Sequence, residues 1–171
     1  MSIVERLAQL CHPWESAYSH SKVIASAVLA VHLGALLFGG GLAVAADRMT
    51  LRSLRGGIAA RVQQLDEIHA VHRPVLIALS FLFMSGVLLA AADLKTFAAS
   101  PFFVVKLSCV ALLTMNGVAL TLSEGRLRRE VAAGSAAPAE RSWSMLRATA
   151  WLSIALWTMT LCAGVILANS A

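Results

Sequence analysis

The sequence predicts an all-α integral membrane protein: a four-helix up-and-down bundle with a short N-terminal interfacial helix, forming one membrane domain over residues 1–171. Three observations carry that expectation. Of the 171 residues, 58% are hydrophobic and only 13% charged, against about 25% charged in an ordinary soluble domain. The mean hydropathy is +0.75. The apolar residues also gather into four runs, each close to the roughly 20 helical residues that cross a hydrocarbon layer of about 30 Å.

The first run, 23–46, contains no formally charged residue and stops at Asp47 and Arg48. The second, 74–92, opens on Pro74, which suits the first turn of a helix, and ends at Asp93. The third, 101–122, again opens on proline. It is interrupted only by Lys106, whose stem is long enough to carry the ammonium toward the headgroups. The fourth, 143–168, begins with Trp143, a residue suited to the interfacial belt.

Ahead of the first run no charged segment and cleavage site mark a signal peptide, so the first 22 residues read as mature protein. Ile3, Val4, Leu7 and Leu10 recur there at helical spacing and predict a short helix lying on the membrane. Between the first two spans, residues 58–72 read as a helix with Ile58, Val62, Leu65 and His69 on one side, extending or capping the second span. Gly134, Ser135, Ala136, Ala137 and Pro138 read as a flexible joint in the third loop.

The basic residues sort by loop. Arg48, Arg52, Arg55, Arg61 and Arg73 flank or occupy the first long loop, and Arg126, Arg128, Arg129, Arg141 and Arg147 the third. Only Arg6, Lys22, Lys95 and Lys106 lie toward the other side. The positive-inside rule places both arginine-rich loops in the cytoplasm of a bacterial inner membrane and both termini in the periplasm. A formal net charge of +5 sorted in this way reports topology and not nucleic-acid binding. Cys11, Cys109 and Cys162 fit neither a disulfide framework nor a cysteine-based zinc site. No nucleotide fingerprint, protease motif or nucleophile–base pair occurs, which leaves enzyme chemistry the least supported class.

Inside such a bundle, small residues permit close approach or make space for a flat ligand. Gly34, Gly39, Gly40, Gly41, Gly86, Gly117 and Gly164 are the candidates. Depth is the next filter. At 1.5 Å per residue, His32 lies about 14 Å below the outer end of its span, Met84 and Cys109 about 12 Å, and Met159 about 14 Å, with Cys162 one turn higher. An imidazole with thioethers and thiols in one layer suits a soft metal, copper(I) above all. The competing readings are ordinary apolar packing for the sulfurs, and a proton relay or a hydrogen bond to Ser80, Ser108 or Ser153 for His32.

On the third span Lys106, Cys109, Leu113 and Asn116 recur at steps of three and four, predicting one inward, polar-bearing face. Lys106 pairing with Asp93 across the outer loop is its structural alternative. His69 and His72 are placed to share one divalent ion or to lie beside a haem edge. His32 and His72, about 20 Å apart in depth, are too distant to bracket one haem within a monomer. His32 opposite Met84 or Met159 is close enough to do so. The other haem routes use His20 or histidines matched across a dimer. Cys11, His12 and His20 form a loose outward group suited to metal entry.

Several of these residues also form a pattern. His32, Leu33 and Gly34 continue through Gly39, Gly40 and Gly41 to Asp47 and Arg48. Ser100, Pro101, Phe102 and Phe103 are followed by Lys106 and Asn116, and Trp14, Glu15 and Ser16 precede the first span. In these stretches the chain resembles a small family of bacterial four-span membrane proteins of unassigned function that are themselves similar to part of the copper resistance protein D group. It departs from the pattern at Ser100, where asparagine is usual, and at Met49, where leucine follows the aspartate. The resemblance implies that His32, Asp47, Lys106 and Asn116 are the residues to watch, without naming a substrate.

The leading expectation is a copper-binding or copper-transporting membrane protein, with His32, Met84, Cys109, Met159 and Cys162 as metal ligands. The rival is a b-type haem electron carrier drawing on His32, Met84, Met159, Lys106, Asn116 and His72. A third is a non-catalytic subunit or assembly factor of a membrane complex. The expected partners are the lipid bilayer and a second copy or larger membrane complex, with no nucleic acid.

Overall fold

The computed structural model describes residues 3–133 and 140–170, so the joint expected at 134–138 lies outside the described residues. All regular structure among the described residues is helical: α1 (Ile3–His20), α2 (Lys22–Ser53), α3 (Ile58–Ala92), α4 (Leu94–Ala99), α5 (Pro101–Ala132) and α6 (Glu140–Ser170). Four of these helices, α2, α3, α5 and α6, are long and apolar enough to cross a membrane. They follow one another up and down. The start of α2 and the end of α6 therefore share one side of the bundle, here the terminal side, and the arginine-rich loops share the other.

The spanning helices outrun the apolar segments that announce them. A helix of 32 residues such as α2 is about 48 Å long, well beyond the hydrocarbon thickness. Asp47 and Arg48 do not end α2, which continues to Ser53. A charge raises the cost of contact with lipid but leaves backbone hydrogen bonding intact. By the same logic the loop helix and second span fuse into one α3, with Pro74 inside it. Local chemistry sets the ends: Ser21 accepts from the Ile24 N–H at 3.3 Å to cap α2, and Pro101 occupies the first turn of α5.

The N-terminal helix α1 is longer than expected and carries Pro13 inside it. It packs on α3, α4 and α2, and the Trp14 indole N–H donates to the Leu88 carbonyl at 2.8 Å. The short α4, absent from the sequence reading, is capped by Asp93, which accepts from the Thr96 N–H at 3.3 Å.

Helix α2 packs along α3, α5 packs along α6, and the two pairs join chiefly through α2 and α6. Helices α3 and α5 approach only over a short stretch. One apolar cluster, Leu113, Leu156 and Trp157 with Leu36, Leu79 and Leu82 around it, fills the middle of the bundle. A second, built from Leu65, Ile68, Leu127, Trp143 and Leu146, closes the arginine-rich end. Trp143 is thus a buried core residue with the Arg61 guanidinium 5.5 Å above its ring, and not the exposed belt residue its position suggested. Large apolar side chains such as Leu37 and Phe83 point outward, as a lipid-facing surface requires.

Two glycines set the helix spacing. A Cβ on Gly39 would stand 2.7 Å from the Ala78 Cβ, and one on Gly40 would stand 3.1 Å from the Trp157 ring. Both backbones approach a neighbour too closely for a side chain. Gly34, Gly41 and Gly117 meet nothing within 4 Å.

Candidate functional site

Two polar layers lie inside the bundle on either side of the central apolar cluster. The layer toward the terminal side is centred on His32 of α2, which is buried. Its Nδ1 stands 3.0 Å from the Ser85 Oγ on α3. The Ser85 hydroxyl donates in turn to the Phe81 carbonyl at 2.6 Å. A hydroxyl whose proton is committed to a carbonyl offers its lone pairs, so the network assigns the proton of His32 to Nδ1 and leaves the Nε2 lone pair available. Gly86 makes room for the ring: a Cβ there would meet His32 Cε1 at 3.4 Å.

Lys106 of α5 turns into the same layer. Its Nζ lies 3.3 Å from where a Cβ on Gly164 of α6 would stand, and it is near enough to interact with His32 through charge. It does not pair with Asp93, which caps α4 instead. The expected inward face of α5 is present, since Cys109, Leu113 and Asn116 are buried. One turn from Gly164, the Thr160 hydroxyl is buried and has no hydrogen-bond partner. This layer therefore holds an imidazole and an ammonium, with a buried thiol one turn further along α5 and an orphaned hydroxyl one turn away on α6.

The remaining sulfurs of the expected copper layer face away. Met84 is 60% exposed and Met159 53%, and Cys162 is exposed as well. Equal depth does not bring side chains together, because neighbouring helix positions point about 100° apart. On α3 the inward position belongs to Ser85, next to Met84; on α6 it belongs to Thr160, next to Met159. Among the described residues, no group of three or more His, Cys, Asp and Glu side chains is arranged to hold a metal ion.

The second layer lies about 22 Å further along α2. Asp47 is only 5% exposed. Its carboxyl lies beside the buried Ser153 hydroxyl of α6, and its Oδ2 has no hydrogen-bond partner. Asp47 is therefore an interior group and not the membrane-edge group its neighbour Arg48 suggested. Ser153, proposed as a partner for His32, serves Asp47. Asn116 is committed to structure, its amide donating to the Thr149 carbonyl at 3.0 Å.

At the arginine-rich end His69 and His72 do share a neighbour, the Glu124 carboxylate of α5, which is 4% exposed. The His72 Nδ1 is 3.2 Å from Oε2 and the His69 Nδ1 3.5 Å from Oε1. The Arg128 Nε donates to Oε1 at 2.9 Å and its Nη1 reaches Asp66 at 3.0 Å. His72 Nε2 meets the Thr121 hydroxyl at 3.1 Å. This network ties α3 to α5 and already supplies Glu124 with a permanent cation. The sequence carried a signal for it, because Glu124 and Arg128 are four apart on one helix face. On α1, His20 Nδ1 turns to the Ser16 carbonyl of its own helix at 2.8 Å, and His12 is exposed while Cys11 is half-buried.

No protein family, curated protein or solved structure matches the chain, and nothing in these comparisons links it to the copper resistance group. Its own residues establish a four-span, all-α membrane protein with buried polar layers on both sides of an apolar centre.

Proposed function

We propose that this chain is a multi-pass protein of the bacterial inner membrane, arginine-rich loops toward the cytoplasm, that holds haem b through His32 Nε2. The observation that carries this reading is the His32–Ser85 hydrogen bond, which fixes the ring and its tautomer as partners of metal-ligating histidines do. The rest of the layer fits the group. Lys106 supplies a positive charge for haem carboxylates, and the Thr160 hydroxyl lacks a partner. Helices α3 and α5 approach only over a short stretch, and a flat group would enter between their terminal-side halves. Bound there, haem supplies one-electron transfer near the terminal face of the membrane.

Copper(I) is the second reading, favoured by the buried thiol of Cys109. It fits less well, because an ammonium beside His32 opposes a bare cation and the thioethers of Met84 and Met159 point outward. One copy offers a single free imidazole nitrogen in this layer, so a homodimer or larger complex is the natural source of a further ligand.

The test is an optical spectrum and a copper analysis on one detergent-purified sample from cells supplied with a haem precursor. The haem reading expects a Soret band that His32→Ala abolishes and that Met84→Ala and Met159→Ala retain. Copper without a Soret band, lost in both His32→Ala and Cys109→Ala, would move the assignment to copper. Folded wild-type protein carrying neither removes both.

A further inference from the structure

We propose that Asp47 and Ser153 form a binding site for one small monocation, a proton or the sodium ion that takes its place, reached from the arginine-rich side of the membrane. This inference is independent of His32. It starts from Oδ2 of Asp47, an oxygen cut off from solvent with no hydrogen-bond partner, on a side chain that is itself only 5% exposed. A carboxylate out of reach of water, with only the Ser153 hydroxyl beside it, is among the most costly groups to bury. A charge-compensating cation is therefore the missing component, and the Ser153 hydroxyl is the second oxygen placed to meet it.

The surroundings decide where that cation comes from. Ser153 lies about 15 Å along α6 from Trp143, well within the apolar part of that helix. Toward the terminal side, Leu113, Leu156 and Trp157 close the path with apolar surface. Toward the arginine-rich side the next turn of α2 brings Thr50, buried and joined to the buried Gln64 of α3 at 3.4 Å. Polar groups thus continue from Asp47 toward that side along the α2–α3 contact, beside the apolar cluster of Leu65, Leu127, Trp143 and Leu146.

No fixed charge among the described residues fills the site. On α2 and α6 the flanking Arg48 and Arg147 are exposed. On α3, His69 and His72 face Glu124, and Arg73 is exposed. On α5, Glu124 is held by Arg128, and Lys106 belongs to the other polar layer.

The experiment treats full-length protein in detergent with dicyclohexylcarbodiimide, an apolar reagent that adds the O–H of a protonated carboxyl across its C=N bond, and maps the modified peptides by mass spectrometry. A proton site expects labelling of Asp47 that falls several-fold between about pH 6 and about pH 9 and ignores sodium. A sodium site expects labelling that sodium chloride suppresses and choline chloride does not. Asp47→Asn should lack the adduct while eluting like wild type. Ser153→Ala, which keeps the carboxyl, should shift the pH or sodium dependence. Absence of label on Asp47 at every pH, or label that neither pH nor sodium diminishes, overturns the proposal. Since this readout involves neither haem nor copper, failure of the His32 assignment leaves it standing, and the reverse also holds.

Discussion

The imidazole of His32 and the hydroxyl of Ser85 meet at 3.0 Å across the α2–α3 contact, and this bond, with the Leu82 carbonyl beside the ring, sets the ring's orientation. Ser85→Ala keeps the fold but releases the ring. Such a change should cost about 1 kcal/mol of stability and weaken retention of a metal centre about 10- to 100-fold. Thermal unfolding and ligand titration of the same preparation separate the two effects.

Lys106→Met gives opposite outcomes for the two readings of that layer. Removing an ammonium that pairs with a carboxylate should loosen haem by about tenfold or more. Removing it from beside a bare copper ion should tighten copper instead. Titration of the variant with each in turn reads the sign directly.

Gly39→Ala forces a methyl to within 2.7 Å of the Ala78 Cβ and should cost about 1–3 kcal/mol by overpacking. Gly34→Ala, with nothing within 4 Å, should be neutral or slightly stabilising through helix propensity. Apparent Tm values in one detergent distinguish the pair.

Glu124→Gln removes the charge that gathers His72, His69 and Arg128. Because few other contacts join α3 to α5, the loss should be about 1–3 kcal/mol. A double-mutant cycle with His72→Ala should show coupling of about 0.5 kcal/mol or more.

The four spans were legible because lipid contact demands long apolar runs, and those runs survive in α2, α3, α5 and α6. Their ends were not. Hydropathy marks where lipid stops, while the helix continues as long as its backbone can bond, as α2 does past Asp47 to Ser53. The inward face of α5 was legible from the spacing of Lys106, Cys109, Leu113 and Asn116, the last three of which are buried. Rotation about the other helices was not, since it depends on partners. Gly39 against Ala78 and His32 against Ser85 turn the Met84 edge of α3 outward. For the same reason Ser85 was missed among the serines available to His32. Glu124 was overlooked because the focus of that network becomes evident only when α5 is laid beside α3.

The most direct test of the central claim is a titration of haem into purified apoprotein, followed at the Soret band, for wild type and His32→Ala with matched folding by circular dichroism. Wild type should take up haem saturably, and His32→Ala should lose that uptake. Equal uptake by both proteins, or none by folded wild type, would contradict the claim.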